Sequence, residues 1–413
     1  MTTLPTPATR PFPAAAAARP LPSAGTTGAA TRPFPSAGAT DAAARPGTPG
    51  VRSGGSGTDG EGLAPGSPGP DASATDVLRR CRALVRPALV DAVGRLHPWT
   101  GEMAAYALGW SGTDGTPDPD GSEGKGVRQA LAVLGAEAVG ADAAHGVPGA
   151  VAVELVHTFS LLHDDIMDAD ALRRRRPAVW KSYGTGPAVL AGDALLAQAV
   201  TGLAEARCDH AAAAVRHLCG TLNALVSGQA EDLRFEHRPW HGPGAVTPER
   251  YRTMAEHKTG ALLGCALALG AVLGGAPEPT VTALDRAGRH LGLAFQTVDD
   301  VLGIWGDPEK TGKPVHADLR RGKKTYPVLA ALAHGGPAAR ELAALLASPR
   351  QIDDATAAHL AALVEEAGGR TAAHEEAHRR LDTAHRILRD TALTPEAARQ
   401  LDALCTDLLD RAW

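Results

Sequence analysis

Residues 154–177 read ELVHTFSLLHDDIMDADALRRRRP, and this stretch decides the fold. Its apolar residues recur at three- and four-residue spacing, which predicts a buried helix that leads into the acidic residues. On such a helix Asp164 and Asp168 lie on one face, and Asp165 lies beside them. Like charges this close repel each other, so the cluster indicates a site where cations neutralise the carboxylates. Four arginines follow, at residues 173–176.

A second acidic cluster lies further along the chain. Residues 295–314 read FQTVDDVLGIWGDPEKTGKP, and residues 318–327 read DLRRGKKTYP. Asp299 and Asp300 are thus followed by Lys313 and by further basic residues. Hard cations such as Mg²⁺ bind carboxylate and phosphate oxygens, and arginine pairs with phosphate. The two clusters together predict a diphosphate that is held through metals in one shared cavity.

Shorter motifs stand before and between the clusters. Each is weak alone, and their order along the chain is the informative feature. They are Lys125 with Arg128, Gly192-Asp193, Gly228-Gln229 and Lys258-Thr259.

Helical periodicity continues from Asp76 to the end of the chain, with few alternating strand-like runs. This predicts an all-α protein, with either one large core or two domains. Residues 109–124 are rich in Gly, Asp and Pro and predict a surface loop. The longest apolar stretch, residues 261–276, is shorter than the roughly 18 residues of a membrane span and predicts a buried core helix.

Composition excludes one class of function and indicates a compartment. The chain has 413 residues, with 41 Lys or Arg against 46 Asp or Glu, and its formal charge of −5 argues against a nucleic-acid-binding protein. Its cysteines stand singly and predict reduced thiols. No secretion signal is recognised, so we expect a cytoplasmic protein without a membrane span. The cysteines are Cys81, Cys208, Cys219, Cys265 and Cys405.

Residues 1–72 differ from the rest of the chain and predict a disordered tail before a folded domain at 73–413. The tail is rich in Ala, Pro and Gly and holds two Phe but no Trp or Tyr, so it cannot bury enough apolar surface to fold. An R-P-[FL]-P phrase recurs at residues 10–13, 19–22 and 32–35. Compositional drift would explain one copy. For three copies, drift and a binding motif in polyproline conformation are equally good explanations.

From residue 76 to about 410 the chain resembles the trans-polyprenyl diphosphate synthases, the family of farnesyl and geranylgeranyl diphosphate synthases. Both acidic phrases quoted above match that family in order and spacing. The resemblance implies an isoprenoid synthase helical bundle around a central cavity and a homodimer. It also implies a Mg²⁺-dependent prenyltransferase that joins isopentenyl diphosphate to an allylic diphosphate. The tail resembles the cargo-loading segments of enzymes packed in encapsulin shells.

The resemblance assigns roles to the motif residues, with about three Mg²⁺ per active site. The metals would be bound by Asp164, Asp165, Asp168, Asp299 and Asp300. The allylic diphosphate and the cation would be held by Arg173, Lys258, Thr259, Gln296 and Lys313. Isopentenyl diphosphate would be bound by Lys125, Arg128, His157 and Arg174.

Two positions depart from the family pattern. The first basic motif normally reads Gly-Gly-Lys-Arg-x-Arg, but Gly126 stands where its middle arginine is expected. The second acidic motif normally ends in Asp, but this chain has Gly303. These differences predict a weaker isopentenyl diphosphate contact and an altered third metal site.

By the same resemblance, we expect product length to be set by the residues just before the first cluster, because the growing tail would extend along that helix. Phe159 lies five residues before Asp164, about 7.5 Å along a helix, and Ser160 is small. A single aromatic residue there resembles geranylgeranyl-type synthases, so we expect a twenty-carbon product, with farnesyl diphosphate as the alternative. Phe159 also fits ordinary core packing.

Two other functions remain open. A terpene cyclase shares the fold and ionisation chemistry, and Asn223, Ser227 and Glu231 have the spacing of a cyclase metal triad, although about 60 residues after Asp164 is the wrong place for it. An inactive partner subunit would explain the long tail and Gly303, but it would have no reason to keep clustered like charges. Consumption of isopentenyl diphosphate separates the synthase from a cyclase, and Mg²⁺-dependent diphosphate release separates it from an inactive subunit.

Overall fold

The computed structural model describes residues 73–118, 124–311, 314–348 and 352–410. The tail predicted at residues 1–72 and the candidate residue Lys313 lie outside these described residues. The described part is built from helices, which confirms the all-α prediction. Its helices are α1 (Ala74–Gly94), α2 (Pro98–Ala107), α3 (Val127–Ala138), α4 (Ala143–Met167), α5 (Val179–Tyr183), α6 (Thr185–Ala204), α7 (Ala211–Glu236), α8 (Pro248–Ala255), α9 (Ala261–Leu273), α10 (Glu278–Trp305), α11 (Pro308–Thr311), α12 (Ala317–Arg320), α13 (Tyr326–His334), α14 (Gly336–Leu346), α15 (Asp354–Glu366), α16 (Gly369–Asp390) and α17 (Pro395–Asp410).

Two short elements interrupt the helices. Strands β1 (Leu172–Arg173) and β2 (Arg176–Pro177) form an antiparallel hairpin directly after α4. A π-helical turn, Glu256–Gly260, joins α8 to α9. The sequence pattern predicted neither of them, and both carry candidate site residues.

Helix α9 is the buried centre of the fold, as its apolar sequence predicts. All its residues except Val272 are buried, and it packs against α3, α4, α7 and α10. Glycine allows the closest of these contacts, because a Cβ atom on Gly270 would lie 2.0 Å from the carbonyl oxygen of Ala132 in α3. The backbones of α3 and α9 therefore meet with no side chain between them.

Helix α4 begins at a side-chain cap, where Asp142 accepts a hydrogen bond from the Ala144 N–H at 2.8 Å. It then packs against α3, α6 and α9. Both acidic clusters lie in the last turns of long helices, the first on α4 and the second on α10. The carbonyl ends of helices carry partial negative charge, which adds to the carboxylates and makes bound cations favourable there.

Helix α6 is, among the described residues, the one helix long and apolar enough to cross a membrane by length and composition. Its buried residues follow helical spacing and include Ala188, Ala191, Leu195 and Ala199. This spacing places one face of α6 against the core, where α6 packs on α4.

Candidate active site

The first acidic cluster ends helix α4. The Asp168 N–H bonds to the Asp164 carbonyl at 2.8 Å, so the last turn is intact and the predicted stacking of these two residues is present. Asp165 is buried, and Arg173 binds both its carboxylate oxygens through Nε at 2.8 and 2.9 Å. Burial raises the pKa of Asp164 and of Asp165, against the opposing effects of Lys258 and Arg173. Burial thus disfavours the charged form of both carboxylates, and a bound cation would offset that cost.

The hairpin separates two neighbouring arginines. Arg174 and Arg175 form its turn, and both have positive φ angles, of 51° and 64°. A tight turn of this type usually needs Gly or Asn, so two arginines here are strained. The turn sends Arg173 to Asp165 and places the Arg174 guanidinium beside Gly124. Arg173 therefore contacts the first acidic cluster, whereas its neighbour Arg174 lies at the loop before α3.

The other two arginines hold the hairpin in position. Arg175 donates to the Glu309 carbonyl at 3.1 Å, which ties the hairpin to α11. Arg176 donates to the Ser111 carbonyl at 2.6 Å and stacks 4.2 Å from the centre of the Tyr106 ring. Of the four consecutive arginines, the first two face the site and the last two are structural.

The two acids of the second cluster have different environments. Asp299 is exposed on α10, whereas Asp300 is 4% exposed. Asp300 accepts hydrogen bonds from the Tyr251 hydroxyl, from the Tyr326 N–H at 2.9 Å and from Gln296 Nε2 at 3.1 Å. Burial raises the pKa of Asp300 to about 7, although these hydrogen bonds favour the charged form. Within the described structure Asp300 therefore acts as an anchor that fixes Gln296.

Thr259 and Lys258 lie on the π-helical turn, a local distortion that often marks functional sites. Thr259 Oγ1 donates to Gln296 Oε1 at 2.8 Å, which fixes the amide from the other side. Lys258 Nζ lies 2.6 Å from Asp232 of α7. A Cβ atom on Gly228 would lie 2.4 Å from the Lys258 backbone nitrogen. The glycine is thus what lets α7 approach the turn.

Basic residues that follow the second cluster lie near acids at the end of the first. Burial alone would lower the pKa of Lys323, but nearby carboxylates raise it, among them Asp168 of the first cluster and Asp300 of the second. Arg321, which follows the second cluster, forms an ion pair with Asp170, which follows the first. The clusters therefore converge on one site.

Gly303 lies directly against another carboxylate. A Cβ atom on Gly303 would lie 1.9 Å from Asp318 Oδ2. The space that a side chain at position 303 would need is therefore filled by the acid of Asp318, which begins the basic phrase after the second cluster. This explains in steric terms why glycine stands at this position.

A second, cationic cleft lies beside the first cluster. It is lined by His157, Gly124 and Arg174 among others. Arg128 Nη1 lies 3.3 Å from His157 Nε2. Burial and the neighbouring Arg128 hold the pKa of His157 well below its ordinary value, so this imidazole is neutral at pH 7. Lys125, next to Gly124, is exposed.

Phe159 and Ser160 lie on α4 before the first cluster. Phe159 is buried in the core and packs edge-on against the His163 ring, with 4.8 Å between ring centres. His163 in turn meets α6, where a Cβ atom on Gly192 would lie 2.3 Å from its Nε2. Ser160 donates to the His157 carbonyl at 2.8 Å. These contacts describe packing, and the role of both residues in product length stays a prediction.

The residues with cyclase-like spacing lie on the outer side of α7. Asn223 and Ser227 are exposed, and Ser227 donates to the Asn223 carbonyl at 2.8 Å. Glu231 forms ion pairs with Arg234 and Arg250. Nothing in these contacts joins the three residues to the acidic clusters.

Sequence reasoning missed Asp232, Lys323 and Tyr251, all of which contact or face the site. One signal was available for Asp232, since it stands four residues after Gly228 and must share its helix face. Lys323 stands in the basic phrase quoted after the second cluster, although the phrase did not single it out. Tyr251 had no comparable signal, because only the packed fold brings it to Asp300.

Comparison with known proteins agrees with this geometry. Residues 120–364 match the family model described as polyprenyl synthetase. The chain is 44% identical over 339 residues to a (2E,6E)-farnesyl diphosphate synthase of Mycobacterium tuberculosis, covering 81% of this chain and 92% of the relative. It is also 44% identical over 332 residues to a geranylgeranyl diphosphate synthase of that organism, covering 80% and 93%.

A solved structure shows the same fold. The crystal structure of a polyprenyl synthetase from Streptomyces coelicolor A3(2) superposes with a TM-score of 0.76 at 46% identity. The match covers 81% of this chain and 99% of that one.

Proposed function

Since the chain belongs to the polyprenyl synthetase family and is a short-chain prenyltransferase, we propose that it condenses isopentenyl diphosphate with an allylic diphosphate to give all-trans geranylgeranyl diphosphate. The observation that carries this proposal is the ion pair between Arg321 and Asp170, which brings together the segments that follow the two acidic clusters, beside a cleft lined by further cations. One site then holds the ionising diphosphate and the neighbouring cleft holds the second substrate.

The donor set of the acidic clusters fits magnesium. Within the described ranges, no group of three His, Cys, Asp or Glu side chains forms a preformed metal cage. Mg²⁺ is commonly bound by one or two carboxylates together with substrate phosphates, so a preformed cage is not needed. We propose Asp164, Asp165, Asp168 and Asp299 as the carboxylates that hold it, with Asp300 as their support. Bound Mg²⁺ would neutralise the charge that develops on the departing diphosphate.

The cations of the chain would bind and orient the allylic diphosphate. In the described structure Lys258 is held by Asp232, and Arg173 is held by Asp165. The remaining N–H donors of each cation are suited to phosphate oxygens. Lys313, outside the described residues, completes this set by resemblance. Fixed charges placed where negative charge develops favour cleavage of the allylic C–O bond, and leave a resonance-stabilised carbocation.

Thr259 and Gln296 would face that carbocation with their oxygen dipoles. The chain of hydrogen bonds from Thr259 through Gln296 to Asp300 fixes the amide in one orientation. The double bond of isopentenyl diphosphate, held beside it, then forms the new C–C bond, and proximity supplies most of the rate. Loss of a proton to the departing diphosphate ends the cycle.

Lys125, Arg128, His157 and Arg174 are proposed to bind isopentenyl diphosphate. The neutral imidazole of His157 donates or accepts a hydrogen bond without adding charge. The Nε atom of Arg128 is buried and has no hydrogen-bond partner among the described residues. A buried donor of this kind is suited to bind an oxygen of the substrate diphosphate.

Phe159 is proposed to close the floor of the cavity and so to limit the product to twenty carbons. The two mycobacterial relatives carry different product names at the same identity, so their names do not choose between fifteen and twenty carbons. Replacement of Phe159 by Ala should lengthen the product if this ring closes the cavity floor. An unchanged product would assign Phe159 to core packing alone.

A homodimer is proposed through α6 and α7. Both helices expose large apolar side chains, among them Leu190 and Val226, at 52% and 58% exposure. A second copy of the chain is the occupant that the family resemblance implies. Sedimentation of the wild type and of a Leu190→Lys variant tests this, and a monomeric wild type would contradict it.

For residues 1–72 we propose a tail that binds a shell protein and takes the cytoplasmic enzyme into an encapsulin compartment. The repeated R-P-[FL]-P phrases support this, since several weak copies raise avidity. Deletion of residues 1–60 should abolish association with the shell and leave catalysis intact. Unchanged association would reject the proposal.

The catalytic proposal is tested with purified full-length protein, labelled isopentenyl diphosphate, an allylic diphosphate and Mg²⁺. We expect labelled twenty-carbon product, and a roughly 100-fold or larger loss of turnover in Asp165→Asn. Asp382→Asn, an exposed change on α16, is the matched control and should keep full activity. Release of diphosphate without consumption of isopentenyl diphosphate would favour a cyclase instead, and no release at all would favour an inactive subunit.

A further inference from the structure

Two arginines of α1 line the cationic cleft beside the first acidic cluster. Arg82 and Arg86 come from α1, which contributes no motif of the family pattern, yet they share the cleft with His157 and Arg174. Arg86 also stacks 4.2 Å from the centre of the Trp110 ring, which fixes its guanidinium at the cleft wall.

Arg82 reaches the loop that carries the first basic motif. Its Nη2 atom donates to the Gly124 carbonyl at 2.7 Å. A Cβ atom on Gly126 would lie 3.5 Å from Arg82 Nε and 3.6 Å from Arg82 Nη2. The guanidinium of Arg82 therefore lies in van der Waals contact with the position where the family pattern has its middle arginine.

Gly126 makes this arrangement possible. It is the N-cap residue of α3 and has a φ of 71°, a conformation that side chains other than glycine adopt at a cost. A side chain there would also compete with Arg82 for space. Glycine at position 126 thus leaves the space in which the Arg82 guanidinium lies.

The cleft holds more positive than negative charge among the described residues. Glu154 is the one acid among its described lining residues, against Arg82, Arg86 and Arg174. Burial and the proximity of Arg82 lower the pKa of Arg86, and burial lowers the pKa of Arg174. Guanidinium groups brought together in this way favour an anion among them.

We infer that Arg82 binds the diphosphate of isopentenyl diphosphate and takes the place of the arginine that position 126 lacks. This inference rests on the proposed function and deepens it. Arg82 offers a planar fork of donors suited to phosphate oxygens, and among the described residues one of these donors binds the Gly124 carbonyl. The first basic motif is then completed from α1.

A purely structural role gives different expectations. If Arg82 only held the Gly124 carbonyl, a neutral donor such as Gln would replace it, and any loss would extend to both substrates through the displaced loop. If Arg82 binds diphosphate, its charge is needed and the loss is confined to isopentenyl diphosphate.

The experiment measures steady-state kinetics of the full-length protein with each substrate varied in turn. Arg82→Ala should raise the KM for isopentenyl diphosphate about 10- to 100-fold, the range for a lost charged hydrogen bond. The KM for the allylic substrate and the turnover number should stay within about threefold. Arg82→Gln should behave like Arg82→Ala, and Arg82→Lys should fall between them and the wild type.

Two further variants complete the design. Arg79→Ala removes an exposed arginine three residues away on α1 and should leave both KM values unchanged. Gly126→Arg in the Arg82→Ala background should recover part of the lost affinity, because it restores the arginine of the family pattern. Melting temperatures check that each variant is folded, and Arg82→Lys keeps the test open if Arg82→Ala is not.

The outcomes separate this inference from the proposed function. A wild type that does not consume isopentenyl diphosphate would reject the proposed function. An active wild type with an unchanged KM in Arg82→Ala, with wild-type behaviour in Arg82→Gln, or with equal losses for both substrates would reject the role of Arg82 alone.

Discussion

Asp232 shows how much a single residue outside the recognised motifs can contribute. Its carboxylate holds Lys258 Nζ at 2.6 Å, and it faces the first acidic cluster closely enough to raise the pKa of Asp164 together with burial. Lys258 is therefore positioned by α7 as well as by its own π-helical turn. The sequence motif identifies Lys258 as a candidate ligand of the diphosphate, but it does not identify the acid that orients the Lys258 ammonium group.

The first prediction concerns this pair. Asp232→Asn should raise the KM for the allylic diphosphate about 10-fold, because Lys258 loses the charge that orients its ammonium group. The KM for isopentenyl diphosphate should change by less than threefold. Glu231→Gln is the control, since Glu231 pairs with Arg234 and Arg250 and not with Lys258. Equal effects of the two substitutions would contradict the positioning role.

The second prediction concerns Gly303. Gly303→Ala places a methyl group 1.9 Å from the present position of Asp318 Oδ2, so the acid must move. Lys323 then loses the carboxylate that does most to raise its pKa, and we expect the KM for the allylic diphosphate to rise about three- to tenfold. Steady-state kinetics measure this change.

Two variants serve as controls for that prediction. Gly220→Ala, where a Cβ atom meets no neighbour within 4 Å, should leave activity unchanged. Asp318→Ala combined with Gly303→Ala should lose little beyond Asp318→Ala alone, because the methyl group acts by displacing this acid. Full additivity of the two changes would show that Gly303 acts in another way.

Among the elements, α8 and α16 are joined by one buried acid. Glu376 of α16 is 3% exposed and binds Arg252 of α8 at 3.0 Å, with Arg380 at 2.7 Å and Arg379 at 2.7 Å on its own helix. Burial alone would raise the pKa of Glu376, but the hydrogen bonds from Arg379 and Arg380 lower it below its ordinary value. This link supports the helix that leads into the Lys258 turn.

The third prediction is the pH dependence of this link. An acid whose pKa is lowered by folding adds stability above its unfolded pKa of about 4.5 and loses it as the pH falls through the folded value. Glu376→Gln should therefore cost about 1–3 kcal/mol at pH 7, and the difference from the wild type should shrink as the pH falls below 4.5. Unfolding curves between pH 3.5 and 8 measure it.

Glu375→Gln is the matched control for that experiment. Glu375 is the neighbouring acid and is exposed, at 3.7 Å from Arg379. It should change stability by less than about 0.5 kcal/mol. A pH-independent loss in Glu376→Gln would contradict the charge-based account of the link.

The elements also show where sequence patterns succeed and fail. The buried helix α9 and the acidic end of α4 were predictable, because apolar spacing and local charge are written in consecutive residues. The hairpin after α4 was not, because its strands are two residues long and its turn uses Arg174 and Arg175 in place of Gly or Asn. The π-helical turn at Lys258 likewise has no periodic signature.

For the whole described structure, the sequence was sufficient to predict the fold class, since the motifs are local and their order is specific. The roles of the candidate site residues stay predictions. The sequence could not predict contacts between distant segments. Asp318 lies against Gly303, 15 positions away, and Arg82 lies against Gly126, 44 positions away. Both glycines stand where the family pattern has a charged residue. In each case a distant side chain of the same charge lies beside the glycine. Only packing reveals such replacements.

The account depends on the two acidic clusters acting on one diphosphate, and a double-mutant cycle tests this most directly. The measurement is kcat/KM for the wild type, Asp164→Asn, Asp299→Asn and the double variant, each with Mg²⁺ and both substrates. Because residues that act as a unit are strongly non-additive, we predict that the double variant falls less than about tenfold below the worse single variant. Losses that multiply in full would show that the clusters act independently and would contradict a shared site.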